Sequence, residues 1–241
     1  MLSLTSTFTP IGIIHSCFGE KFGIPRQAGL VPVARATLEL LPPCATPEAV
    51  RGLNGFSHLW LIFVFHGIPA GQWQPTVRPP RLGGRQRMGV FASRSPFRPN
   101  PIGLSAVRLE RIAINQGRVT LHLAGVDVLD GTPVLDIKPY LPYADCLPDA
   151  AGGFAPQAPE LRLTVEFSSA ATMFCAAWPD DEWHELIVQV LRQDPRPAYE
   201  RATVTPQRYG MRLKGMEVHW EMRGETAYVT DINPVPAGSP G

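Results

Sequence analysis

The sequence has neither acidic residues nor lysine over a long central stretch. Between Glu48 and Glu110 there is no Asp or Glu, and every basic residue in that interval is Arg. These residues are Arg51, Arg78, Arg81, Arg85, Arg87, Arg94, Arg98 and Arg108. Because arginine presents a planar fork of donors and stacks on flat rings, such a cluster suits phosphate, carboxylate or nucleobase. The net charge of the whole chain is only +1, so any affinity for nucleic acid must come from this stretch.

Several familiar kinds of site are also missing from the sequence. No GxGxxG follows a predicted strand and opens a helix, which leaves a Rossmann-type cofactor site without support. There is no Walker loop, HExxH or GxSxG motif. Cys17, Cys44, Cys146 and Cys175 lie far apart without a CxxC pair, and the histidines show no ligand spacing. We therefore expect reduced thiols, a reducing compartment and no metal.

Long apolar runs are absent as well. The longest one, residues 59–65, is far shorter than the roughly 20 residues that a membrane helix needs. The first residues lack a basic region followed by an apolar one, so no signal peptide is expected. The sequence therefore predicts a cytoplasmic protein with no membrane association.

Proline and glycine, in contrast, are abundant, at 26 and 22 of 241 residues, which favours short strands and turns over long helices. The predicted strands of the first part are 11–16, 34–40, 59–65, 88–93, 104–114, 118–129 and 133–139. Strand 59–65 is expected to be buried on both faces. Gln116-Gly117 and Asp130-Gly131 mark hairpins between the last three strands. A meander without amphipathic helices predicts an antiparallel barrel and argues against a doubly wound α/β sheet.

After a proline-rich linker at 142–159, the remainder is predicted to be a small second domain. It would contain a strand at 161–167, a helix capped by Asp180 or Asp181, three strands at 209–213, 216–222 and 228–232, and a disordered tail from Asn233. One helix face would carry Trp183, Ile187, Val190 and Leu191. The predicted fold class is mainly β with an α+β addition: an antiparallel β-barrel at 1–150, then a small α+β domain at 151–241.

The residues after the arginine-rich stretch suggest a binding pocket with two kinds of wall. Three prolines within 95–101 make a stiff loop, which could act as a ligand clamp. Asp127, Asp130 and Asp136 follow closely, although a turn capped by Asp130 is the simpler interpretation of that motif. A basic wall facing an acidic wall would suit a ligand with both charges, such as S-adenosylmethionine. Composition alone does not single out that ligand.

Seven motifs, in order along the chain, resemble those of one family. They are 20–27 (EKFGIPRQ), 55–60 (GFSHLW), 78–84 (RPPRLGG), 88–94 (MGVFASR), 98–103 (RPNPIG), 130–140 (DGTPVLDIKPY) and 194–199 (DPRPAY). The family is the TrmO (TsaA-like) tRNA methyltransferases. The resemblance covers nearly the whole chain, the second domain more loosely.

The resemblance implies an enzyme that methylates N6 of N6-threonylcarbamoyladenosine next to the tRNA anticodon, with S-adenosylmethionine as the methyl donor. It also implies a non-Rossmann β-barrel and a homodimer with the cofactor pocket near the subunit interface. At matching positions it places the methyl donor against Pro25, Arg26, Gln27, His66, Gly67, Arg94, Leu104, Asp130, Gly131, Thr132 and Pro133.

The remaining roles are hypotheses about the substrate and the proton. Arg94 and Arg98 would contact a carboxylate of the substrate or the cofactor, and Asn100 would form a hydrogen bond in the pocket. Arg98 and Asn100 could equally be loop scaffolding. The residues expected to touch tRNA are Arg78, Arg81 and Arg85. Loss of a proton from the acceptor nitrogen would help the transfer, and Asp136, His66 or Tyr140 could take it.

Two other functions remain open on the sequence alone. A non-catalytic RNA-binding barrel needs only strands and an arginine-rich loop, and a small-molecule methyltransferase could use the same barrel. The acidic segment from Asp127 to Asp136 favours a sulfonium-binding pocket over a pure phosphate-binding surface. The second domain could grip tRNA, support a dimer or stabilise the fold.

Overall fold

The computed structural model describes residues 6–69, 71–161, 163–178, 182–197, 200 and 207–235. Its first part is a closed antiparallel barrel with the strand order β1-β2-β7-β6-β3-β8. The barrel strands are β1 (Gly12–Ser16), β2 (Arg35–Leu40), β3 (His58–Val64), β6 (Ile102–Asn115), β7 (Arg118–Ala124) and β8 (Pro133–Pro139). Two short strands, β4 (Thr76–Val77) and β5 (Met88–Gly89), pair with each other outside the barrel. The predicted antiparallel barrel is confirmed, as is the hairpin at Gln116-Gly117 between β6 and β7. The hairpin expected at Asp130-Gly131 is wrong, because β8 pairs with β1 and β3 and not with β7.

Alternating side chains fill the barrel, as the period of two in a strand requires. In β3, Leu59, Leu61 and Phe63 are buried, whereas Trp60 and Ile62 on the opposite face are only half-buried. The expectation that this strand is buried on both faces is therefore wrong. Gly103 of β6 lies against Phe63 so closely that a Cβ atom there would be 2.3 Å from the phenylalanine ring.

Two strands of the first part are much shorter than predicted, whereas the others differ by at most two residues at either end. The strand expected at 88–93 is only β5, because Val90–Ala92 forms a 3-10 helix. The strand expected to reach residue 129 ends at Ala124, since Gly125 adopts a φ of 70° that takes the chain out of the sheet. As a result, β7 pairs with β6 only from Arg108 onward. The residues of β6 before Arg108 are not paired with β7.

The second part is a four-stranded sheet with the order β10-β11-β12-β9, covered by two helices. The elements are β9 (Thr164–Phe167), α2 (Ser169–Ala177), α3 (Glu182–Arg192), β10 (Arg208–Leu213), β11 (Met216–Arg223) and β12 (Thr226–Pro234). A single helical turn, α1 (Pro142–Asp145), interrupts the predicted linker. Helix α2, which was not predicted from the sequence, begins at Ser168, whose hydroxyl oxygen accepts the amide N–H of Ala171.

Helix α3 has the predicted buried face, with Trp183, Ile187, Val190 and Leu191 at most 1% exposed. Its predicted caps, Asp180 and Asp181, lie outside the described residues, as does most of the predicted tail, whereas Asn233 and Pro234 belong to β12. Buried residues of both parts form one continuous hydrophobic cluster. The division of the chain at residue 150 stays a prediction.

Candidate functional site

Three of the predicted ligand-binding segments meet at one end of the barrel. The end of β3, the start of β6 and the start of β8 lie side by side, since Val64 pairs with Ile102 and Phe63 with Val134. Just beyond them, the amide of Phe65 donates to the carbonyl of Pro101 at 2.8 Å. The turn at His66, the proline-rich loop and the turn before β8 therefore share this end.

His66 lies directly against the turn at 130–133. Its Nδ1 is 3.4 Å from the hydroxyl of Thr132, which is buried and donates to the carbonyl of Leu129 at 2.6 Å. Asp130 faces away from this contact, and its Oδ1 accepts the amide N–H of Ser16 at 2.9 Å. Asp130 thus caps the end of β1, in keeping with the simpler interpretation of its motif, and its role in ligand binding remains a prediction.

A small open pocket lies beside the first residues of β6, where β7 no longer covers that strand. It is lined by Gln27, Ala28, Trp60, Arg94, Leu104, Ser105, Ala106 and Asp127. Three of these residues, Gln27, Arg94 and Leu104, are positions at which the family resemblance puts the methyl donor. The Arg94 guanidinium donates to the Gln27 side-chain oxygen across the pocket. The structure therefore brings the arginine-rich segment and the segment 25–27 into one cavity.

Asp127 supplies an acidic group to the same pocket. Its Oδ1 is buried and has no hydrogen-bond partner among the residues that the structure describes. Burial raises the pKa of the Asp127 carboxyl, while the nearby Ser105 hydroxyl and the charge of Arg94 oppose that rise. The sequence placed Asp127 in the acidic wall of the expected pocket but gave it no individual contact with the methyl donor. The structure places it two residues after the bend at Gly125, in the pocket lining with Ser105.

The three candidate bases do not lie together. Asp136 pairs with Ile62, and its Oδ2 is 2.9 Å from the ammonium of Lys138. The rings of Tyr140 and Trp60 contact each other at a tilt of 46°, with centroids 5.5 Å apart, and Tyr140 lines an open pocket with His58. His66 lies beyond the other end of β3. At the usual rise of a strand, the length of β3 separates it from Tyr140 by roughly 20 Å. One chain therefore cannot offer all three to the same acceptor atom, and which of them takes a proton stays open.

The arginines predicted to bind substrate occupy two different environments. Arg78, Arg81 and Arg85 are exposed on the loop between β4 and β5, where Arg81 donates to the carbonyl of Gln157. Arg98 is half-buried and donates to the carbonyls of Ser93 at 2.8 Å and Val90 at 3.3 Å.

The guanidinium of Arg98 also lies over the ring of Phe91, at 5.7 Å from its centroid. Its contacts favour loop scaffolding, whereas Asn100 is exposed at the start of β6. The binding roles of all these residues remain predictions.

Neither a metal site nor a membrane-spanning helix is found among the described residues. They contain no group of three His, Cys, Asp or Glu side chains that could hold a metal ion. None of the helices within the described ranges is long and apolar enough to span a membrane.

Comparisons with known proteins agree with this architecture. Residues 13–146 match the model of the tRNA-methyltransferase O N-terminal domain, and residues 160–235 match that of the TrmO C-terminal domain. The tRNA (adenine(37)-N6)-methyltransferase of Escherichia coli is 48% identical over 218 residues, which cover 89% of this chain and 92% of the relative. A putative S-adenosylmethionine-dependent methyltransferase of Pseudomonas aeruginosa is 51% identical over 233 residues, which cover 95% of this chain and 98% of that relative.

Solved structures give the same result. A crystal structure of TrmO from Pseudomonas aeruginosa superimposes with a TM-score of 0.76 at 44% identity and covers 96% of this chain and 98% of that one. The fold thus defines a closed-barrel protein with a candidate pocket on the barrel and no Rossmann sheet among the described residues. Matched over both of its domain models, the chain belongs to the TrmO family of tRNA methyltransferases.

Proposed function

We propose that this protein is an S-adenosylmethionine-dependent enzyme that methylates N6 of adenine next to the tRNA anticodon. The finer proposal is that the acceptor is N6-threonylcarbamoyladenosine. The observation that carries the proposed reaction is a pocket for the methyl donor, in which the Arg94 guanidinium and the Asp127 carboxyl line one small volume. The relatives named as adenine(37)-N6-methyltransferases support the same reaction.

The residues of the pocket fit the methyl donor. S-adenosylmethionine carries a sulfonium and an ammonium, which the ionised carboxylate of Asp127 in the pocket lining would stabilise. It also carries a carboxylate, for which the Arg94 fork and the Gln27 amide are suitable donors. Trp60 and Leu104 offer apolar surface for the flat adenine ring. When bound, the donor would supply an activated methyl group.

The chain itself would contribute placement and solvent exclusion. Orienting the acceptor nitrogen in line with the methyl carbon can lower a barrier by roughly 7–11 kcal/mol. The threonyl carboxylate of the proposed substrate needs a cationic partner, and the exposed arginines of the loop between β4 and β5 are candidates for it. The phosphates of the anticodon loop would bind the remaining arginines, with an affinity that falls as salt increases.

We further propose that the enzyme works as a homodimer in the cytoplasm. Ile102 and Leu104, next to the pocket on the outer face of β6, are 41% and 53% exposed. Exposed apolar side chains at the rim of a small, open pocket are suited to being covered by a second copy, which would enlarge the enclosed volume. Sedimentation at low and high protein concentration tests the dimer separately from activity.

The test of the proposed function is nucleoside mass spectrometry. The protein is incubated with labelled S-adenosylmethionine and either threonylcarbamoylated tRNA or the same tRNA with an unmodified adenine. We expect label on N6 of the threonylcarbamoylated nucleoside and much less on the unmodified control. Label only on the unmodified adenine would overturn the finer proposal, and label on neither tRNA would overturn the proposed reaction.

A further inference from the structure

The segment that enters the pocket at Gln27 is built onto the C-terminal sheet and not onto the barrel alone. Phe18 forms an isolated antiparallel bridge with Leu213 of β10. The amide of Lys214 donates to the carbonyl of Cys17 at 2.8 Å. The Glu20 carboxylate accepts the amide N–H of Arg212 at 2.9 Å. Three consecutive residues at the end of β10 therefore hold the beginning of this segment.

An aromatic stack continues the same contact. The ring of Phe22 lies parallel to the indole of Trp220 in β11, with centroids 5.8 Å apart and planes 8° apart. Tyr209 stacks near the same indole at 5.5 Å. Trp220 is fully buried, so its position in the sheet is fixed, and the stack transfers that position to Phe22.

Gly23 allows the chain to turn sharply at the surface of the sheet. It adopts a φ of 90°, and a Cβ atom there would be 3.2 Å from the sulfur of Met211. A side chain at this position would be strained and would press on β10. The turn directs residues 25–27 away from the sheet and toward Arg94.

The same segment is also attached to the barrel. The ammonium of Lys21 donates to the carbonyl of Gly67 at 2.6 Å, at the turn that follows His66. Glu20 and Lys21 are neighbours in sequence, yet one bonds to the C-terminal sheet and the other to the ligand-binding end of the barrel. The segment therefore links the two parts of the protein at the pocket.

We propose that the C-terminal sheet is a scaffold that positions residues 25–27 for binding the methyl donor, acting through Glu20 and Phe22. This inference rests on the proposed function, because it assumes that the pocket takes S-adenosylmethionine. It assigns the second part of the chain a role in cofactor affinity, distinct from gripping tRNA or supporting a dimer. Glu20 and Phe22 are positioning residues, since they act through residues 25–27.

The test compares Glu20→Ala with Glu20→Gln, and Phe22→Ala with Phe22→Tyr, in the full-length protein. Glu20→Ala removes the acceptor for the Arg212 amide, whereas Glu20→Gln keeps an oxygen there. Phe22→Ala removes the stacked ring, whereas Phe22→Tyr keeps it. We expect each Ala variant to raise the KM and Kd for S-adenosylmethionine about three- to tenfold, the loss typical of one hydrogen bond or stack. The kcat and the KM for tRNA should change less than twofold. The conservative variants Glu20→Gln and Phe22→Tyr should bind S-adenosylmethionine with an affinity near that of wild type.

Glu221→Ala serves as the matched control, because Glu221 follows Trp220 on the same strand but is not buried with it, and its carboxylate accepts from Arg223. If wild-type protein binds no S-adenosylmethionine, the proposed function fails and this inference with it. If wild-type protein binds it and the two Ala variants bind equally well, only the scaffold role is overturned. A change confined to the KM for tRNA would also overturn that role.

Discussion

Two aspartates in this chain occupy opposite electrostatic environments, one in the pocket and one on the C-terminal sheet. Asp231 of β12 has partners on both oxygens: Arg208 at 2.8 Å, His219 at 3.0 Å, and Thr230 and Asn233 at 2.7 Å. Asp127 Oδ1 has no partner within the described part of the chain.

Their pKa values move in opposite directions as a result. Burial alone would raise the pKa of Asp231, but hydrogen bonds from Thr230 and His219 and the charge of Arg208 bring it below its usual value. Burial dominates at Asp127 and raises the pKa of that carboxyl. A carboxylate with partners on both oxygens contributes to the fold. The Asp127 carboxyl accepts hydrogen bonds from Ser105 and from the backbone of Ala28, but its Oδ1 keeps acceptor capacity for a ligand. Substitutions in the pocket and on the sheet should therefore have different consequences.

The largest effect is expected from Arg94→Ala, which removes the guanidinium from the pocket. A ligand carboxylate that loses its arginine partner in a desolvated complex loses about 2–5 kcal/mol of binding, so kcat/KM should fall by a factor of about 30 or more. Radiolabelled methyl transfer to tRNA measures this, with thermal unfolding to verify the fold. Arg118→Ala, on the exposed end of the β6–β7 hairpin, is the matched control. Methylation by Arg94→Ala at the wild-type rate would refute the assignment.

A smaller effect is expected from replacing Arg78, Arg81 and Arg85 together with Ala. Each arginine–phosphate interaction that is removed should reduce the slope of log K against log salt by about 0.7–0.9, so the slope should fall by about 2 if all three bind tRNA. Fluorescence anisotropy with labelled tRNA at several salt concentrations measures the slope, and affinity for S-adenosylmethionine should stay unchanged. An unaltered slope and affinity for tRNA would show that these arginines do not touch it.

Asp127→Asn should stabilise the free protein at neutral pH. Because the pKa of Asp127 is raised on folding, its contribution to stability is fully present below the ordinary pKa of Asp and is lost as pH rises through the raised value. Asparagine does not ionise, so the variant should be more stable than wild type at pH 8, and this gain should be smaller at pH 4. Urea unfolding at both pH values measures the gain, and a gain of equal size at both would contradict this account.

Asp231→Asn should have the opposite sign. The pKa of Asp231 is lowered on folding, so its contribution is present above the ordinary pKa of Asp and is lost as pH falls through the lowered value. The variant should be less stable than wild type by at most about 1 kcal/mol at neutral pH, because the cluster is partly exposed and screened. That deficit should shrink on acidification, and the same urea experiments test it. If both Asn variants changed stability in the same direction at pH 8, the contrast between the two sites would be wrong.

Much of the fold follows from local sequence signals. Alternation along β2 and β7, the hairpin at Gly117 and the apolar face of α3 were all visible in the sequence. The turn at Gly131 was visible as well, but the sequence could not show that β8 pairs with β1 and β3 and not with β7. Helix α2 was missed because its run of Ala, Met, Phe and Cys has little amphipathic contrast. The end of β7 was misplaced because its apolar alternation continues through Val126 and Val128 after the bend at Gly125.

The site was only partly predictable, for a physical reason. Arg94, Gln27 and Leu104 were expected from the family motifs, and they do line one pocket. Asp127 could not be ranked above Asp130 or Asp136, since the sequence does not reveal which carboxylate finds partners. The contacts of segment 20–27 with β10 and β11 join residues that are nearly two hundred positions apart, and no local pattern encodes them.

The most direct test of the central claim is calorimetric titration with S-adenosylmethionine in the absence of RNA, on wild-type protein and on Arg94→Ala. We expect saturable binding to wild type with one site per chain, and binding to the folded variant that is weaker by a factor of about 30 or more. Saturable binding of equal strength to both proteins, or none to wild type, would contradict the account.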